Sequence, residues 1–160
     1  METNVVSPEA LSTKEVAPKI LFYSEGTTTL KKINEYVNPV VEALLEEVKQ
    51  SGLEPVGPME FIYLNVNGDP DNLFTLQIAL PVKEQKLVSN GFLFRQTEAF
   101  KCVSHDYKGD VTQMHPVYDR LFQQMYASEL KHNHEVREVY KQWEHPASPN
   151  NITEIQIGIM

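Results

Sequence analysis

The chain has 160 residues, 41% of them apolar and 22% charged, enough for one sizeable core or two small modules packed together. With 14 Lys and Arg against 22 Asp and Glu, its net charge of -8 repels phosphate backbones, so we expect no nucleic-acid binding and a better match to cationic or neutral small partners. No apolar run is long enough to span a bilayer, Glu2 and Glu9 replace the basic start of a leader, and Cys102 is alone, so the expectations are no membrane partner, no internal disulfide and a cytoplasmic location.

In chain order, residues 1–10 read as a polar tail. Leu11 to Val16 forms a strand, Pro18 breaks it, and Lys19 to Tyr23 forms another that turns at Ser24-Glu25-Gly26. From Thr29 the apolar residues Leu30, Ile33, Val37, Val40, Val41, Leu44, Leu45 and Val48 recur at helical spacing until Gly52. Pro39 either kinks this helix or leaves Thr29 to Asn38 as a separate turn. Met59 to Leu64 is a strand, Asn67-Gly68-Asp69-Pro70 a turn, and Phe74 to Leu80 a strand ended by Pro81. Lys83 to Asn90 then links to a second series: Gly91 to Phe94, Phe100 to Ser104, a turn at Lys108-Gly109-Asp110, and a helix carrying Met114, Val117, Leu121, Phe122 and Met125 on one face. Pro116 suits its first turn. Val136 to Trp143 and Ile152 to Ile159 close the chain as strands.

The two series echo one another. Leu76-Gln77-Ile78-Ala79-Leu80 and Ile155-Gln156-Ile157-Gly158-Ile159 share one pattern, and Thr75 aligns with Glu154, so a carboxylate enters the second copy where the first has a neutral side chain. The expected fold is α+β: one domain over residues 11–160, made of duplicated strand-helix-strand-strand units (about 11–82 and 86–160). They would form an antiparallel-rich curved sheet with two main helices on one face.

Several segments carry a resemblance to the GyrI-like effector-binding family, found also as the ligand-sensing domain of multidrug-responsive regulators of the AraC and MerR types. Lys19-Ile20-Leu21-Phe22-Tyr23-Ser24-Glu25-Gly26 and Val103-Ser104-His105-Asp106-Tyr107-Lys108-Gly109 resemble its two strand-to-glycine segments, without the Pro-Tyr that usually follows. Ser51 to Pro58 resembles its helix exit, and Thr153 to Ile159 its terminal strand, with Gly158 in place of the usual proline. The resemblance covers Leu11 to Met160 and leaves no separate DNA-binding segment. It implies a saddle-like sheet with helices on the convex side, a ligand cleft on the concave side, and Glu154 projecting into that cleft.

Alternation puts Glu154, Gln156 and Gly158 on one strand face and Ile155, Ile157 and Ile159 on the other. A partly buried carboxylate needs compensation, which a cationic ligand beside aromatic rings supplies, so the expected ligand-binding set is Glu154, Gln156, Tyr63, Tyr140, Trp143, Tyr23 and His105. The alternative for Glu154 is an edge-strand glutamate exposed to solvent or satisfied by an internal Arg, Lys or Tyr. No catalytic residue, metal or cofactor is expected: His132-x-His134 with His145 lies in loops, Cys102 faces a core, and no dinucleotide, phosphate-loop or nucleophile-elbow motif occurs. The function expected is stand-alone binding of an apolar, cation-tolerant small molecule. The alternatives are a hydrolase of reactive small molecules using Glu154, and a regulatory module resembling gyrase inhibitors that binds a protein partner.

Overall fold

The computed structural model describes residues 11–88 and 91–160; the expected polar tail and the end of the 83–90 link lie outside them. The elements in order are β1 (Ser12–Val16), β2 (Ile20–Thr28), α1 (Ile33–Ser51), β3 (Glu60–Leu64), β4 (Phe74–Val82), β5 (Leu93–Gln96), β6 (Phe100–Lys108), α2 (His115–Ala127), β7 (His132–Gln142) and β8 (Ile152–Ile159). A short 3-10 turn, Val111–Gln113, precedes α2. The strands form one antiparallel sheet in the order β1-β6-β8-β7-β3-β4-β2-β5. The order has a two-fold character: β3 and β7 meet at the seam, and each unit hands its opening strand to the other, β1 pairing with β6 and β5 with β2.

That exchange forces the sheet to curl. Six strand spacings separate β1 from β2, about 29 Å if flat, whereas the chain from Val16 to Ile20 reaches only about 14 Å. The same holds from Gln96 to Phe100, and the two short connections lie side by side, with Thr97 N donating to Lys19 O at 2.8 Å and Lys19 N to Thr97 Oγ1 at 2.9 Å. Both helices pack outside the curl. Leu44 and Val48 of α1 and Leu121 and Met125 of α2 share one core with Phe22, Leu76, Ile78, Leu80, Val103, Ile155 and Ile157. The inner face carries a smaller apolar set, Leu21, Ile62 and Ala79.

Three local expectations change, and one left open is resolved. Ser24-Glu25-Gly26 is strand, not turn, because Gly26 pairs with Leu76 and a Cβ there would fall on the Tyr36 hydroxyl. α1 is one helix with Pro39 inside it, capped at Gly52 in the left-handed conformation, φ 66°. β4 runs through Pro81: its carbonyl accepts from Val56 N, so the proline nitrogen faces the side where β3 has already ended. His132 and His134 belong to β7, with an irregular register between His132 and Val136.

Candidate ligand site

Along β7, alternation sends Val136, Glu138 and Tyr140 to the helix face, which places a carboxylate in an apolar layer. Glu138 is buried and accepts three phenolic hydroxyls: Tyr63 of β3 at 3.0 Å and Tyr140 at 2.6 Å on Oε1, and Tyr118 of α2 at 2.5 Å on Oε2. Among the described residues no Lys or Arg forms a salt bridge with it. Burial, reinforced by the neighbouring Glu138 charge, pushes all three phenols well above their ordinary range, so they remain protonated donors. The rings stand in an aromatic wall. Tyr140 packs edge-on against Phe61 (4.9 Å) and Trp143 (5.4 Å), Tyr63 lies 5.7 Å from Phe74, and Tyr118 stacks on Phe122 at 6.4 Å. The result is an anion held by neutral dipoles inside aromatic surfaces, chemistry suited to a soft cation.

Glu154 lies on the other side of the sheet. Its isoleucine neighbours pack toward the helices as alternation requires, and Glu154 itself is buried on the inner face among internal partners: Lys14 at 2.5 Å, Lys141 at 3.1 Å, Ser104 at 2.8 Å and Gln156 at 2.9 Å. Burial opposes its charge, but these donors outweigh burial and hold its carboxyl at about 2. Gln156 shares that face, and Tyr23 lies there under Arg95, whose guanidinium carbon is 5.6 Å from the ring centre. His105 sits 3.4 Å from Arg120 of α2. The expected set is thus divided between the two faces of the sheet: Tyr63 and Tyr140 reach Glu138, with Trp143 packed on Tyr140, whereas Glu154, Gln156 and Tyr23 lie on the opposite face. Glu138 and Tyr118 are the members the sequence reading missed, although Val136-x-Glu138-x-Tyr140 already shows a carboxylate in the apolar register of a strand.

Cys102 is buried, and burial first among its causes raises its thiol to about 11. Among the described residues no cluster of His, Cys, Asp and Glu could hold a metal, and no helix is long and apolar enough to cross a membrane.

A model of the GyrI-like small molecule binding domain matches residues 10–160. No curated protein matches. Among solved structures, the EcmrR C-terminal domain superposes with a TM-score of 0.77 at 18% identity over 93% of this chain and 96% of that one. In the EcmrR–DNA complex the chain spans 56% of the EcmrR length. SAV2435 bound to tetraphenylphosphonium gives a TM-score of 0.65 at 12% identity, covering 94% and 93% of the two chains. A hydrolase from Listeria innocua gives 0.61 at 12% identity, covering 97% and 94%. These likenesses at low identity establish a shared fold, and the family match over nearly the whole chain leads to one conclusion: the protein belongs to the GyrI-like family of small-molecule-binding domains.

Proposed function

We propose that this domain binds a lipophilic organic cation, with Glu138 as its counter-charge and Tyr63, Tyr118, Tyr140 and Trp143 as its aromatic walls. One observation carries the reading: a buried carboxylate that accepts three phenolic hydroxyls and, among the described residues, forms no salt bridge with a Lys or Arg. Such a group is tolerable in the free protein because three donors reach it, and it gains most when a poorly hydrated cation arrives, since that partner gives up little solvation on entering an aromatic site. The fold shared with SAV2435, which was solved with tetraphenylphosphonium, supports this class of ligand. Tyr118 is the α2 member of the cluster, so displacing its hydroxyl would pass occupancy to that helix, as an effector domain requires.

Titration with tetraphenylphosphonium and with tetraphenylborate, the same shape with opposite charge, tests the proposal. The phosphonium should bind and the borate should not, and Glu138→Gln should weaken phosphonium binding by about tenfold or more, the loss of one buried charge contact. Equal binding of both ions, or an unchanged affinity in Glu138→Gln, would overturn it.

A further inference from the structure

On the inner face the curl of the sheet leaves a recess of about 360 Å³, lined among others by Lys14, Lys19, Val56, Glu60, Pro81 and Gln156. It lies across the sheet from Glu138 and shares no residue with that site. Two of its lining groups end in oxygens that no donor among the described residues reaches. Glu60, 1% exposed, accepts Lys19 Nζ on Oε2 at 2.5 Å, and its Oε1 has no partner. Gln156, 3% exposed, donates Nε2 to Glu154 Oε2 at 2.9 Å; that bond fixes which way the amide faces and leaves Oε1 unpaired.

The register explains how the two converge. Glu60 of β3 is opposite Val139 and Gln156 of β8 is opposite Arg137, two residues along the same face of β7, so the two long side chains project from strands on either side of β7, and both line the recess together with Val139. Acceptors withdrawn from water without donors are costly, and two in one recess call for a bound group that brings N–H donors. The charges are layered as well. The carboxylate of Glu60 lies deep, whereas the ammonium groups that pair with the buried acids stand nearer solvent, with side-chain exposures of 44% for Lys14 and 23% for Lys19. Each ammonium has further N–H donors to offer.

We propose that this recess is a second binding site, for a small zwitterionic amine of the amino-acid class. Its ammonium is held by Glu60 Oε1 and Gln156 Oε1, its carboxylate by the outer Lys14 and Lys19, and its apolar portion lies against Val56 and Pro81. Charge-assisted contacts at both ends select this class over a plain amine or a plain acid.

Amide NMR of the full chain, following Gly57 and the Gln156 side chain, tests the assignment with three probes at millimolar concentration: L-leucine, 3-methylbutylamine, which lacks the carboxylate, and 4-methylpentanoate, which lacks the amine. Leucine should bind about tenfold more tightly than either fragment, and Glu60→Gln should weaken it by about tenfold, the loss of one charge-assisted contact. Val56→Trp fills the recess from an exposed wall position without touching the polar pair, and should abolish binding even if Glu60→Gln fails to fold. Glu138→Gln should leave it unchanged. The proposal is overturned if no probe shifts these amides, which would mean ordered water alone satisfies the two oxygens. It is also overturned if leucine binds no better than its fragments, or if Val56→Trp binds as the wild type does.

Discussion

Each tyrosine hydroxyl on Glu138 both stabilises the empty protein and competes with any incoming cation. Tyr118→Phe removes one donor from Oε2 and should cost about 1.5–3 kcal/mol of stability, the range for a hydrogen bond to a charged group. The same change should tighten tetraphenylphosphonium binding, because the ligand no longer displaces that bond; chemical denaturation and titration of one variant read both effects, and a variant weakened in both would argue against competition. Glu154 behaves differently. Its folded pKa, about 2, is below the ordinary 4.5, so its stabilising contribution is complete above pH 4.5 and is lost as pH falls through about 2. A shift of that size corresponds to something on the order of 3 kcal/mol. Glu154→Gln should therefore lower stability at neutral pH and flatten the acid limb of a pH–stability profile, and a parallel profile would show that the ion pairs contribute nothing. The site was half legible for a physical reason. Alternation identifies a carboxylate in a strand, and it applied equally to Glu138 and Glu154; the mismatch between repeats drew attention to Glu154. What separates the two is non-local, the Lys14 and Lys141 ammonium groups on Glu154 and the Tyr118 hydroxyl from a helix on Glu138, and no local pattern encodes either.

At the level of elements, α1 is seated on β2 through a close approach at Gly26, where the Tyr36 hydroxyl occupies the place of a Cβ. Gly26→Ala should destabilise the fold by about 1–3 kcal/mol, the usual range for overpacking. A double-mutant cycle with Tyr36→Ala should recover much of that loss; purely additive effects would place the strain elsewhere. This contact also explains why Gly26 misleads as a turn signal: the glycine serves a neighbour rather than a bend, so the strand continues through it. Helix periodicity, the terminal strand and the β7 strand were readable because their apolar spacing is local. The partners of β1 and β5 were not, since strand exchange between units alters no spacing in either segment.

For the whole molecule, exchange of opening strands curls the sheet, and curling gives it two unlike faces. The helix face holds an anion satisfied by hydroxyls, in a layer where Tyr118 ties α2 to the sheet. The inner face is dominated by paired charges, Lys14 and Lys141 with Glu154 and Lys19 with Glu60, which already neutralise one another. A lipophilic cation, which brings no N–H donors, therefore meets a carboxylate held only by hydroxyls on the first face, whereas Glu154 and Glu60 on the second each already carry a lysine. A crystal structure of the protein with tetraphenylphosphonium tests that distinction most directly. The account predicts the phosphonium on the helix face against Glu138, with phenyl groups on Tyr63, Tyr140 and Trp143 and the Tyr118 hydroxyl displaced from the carboxylate. A phosphonium seated on the inner face beside Glu154, with all three tyrosine hydroxyls still on Glu138, would contradict it.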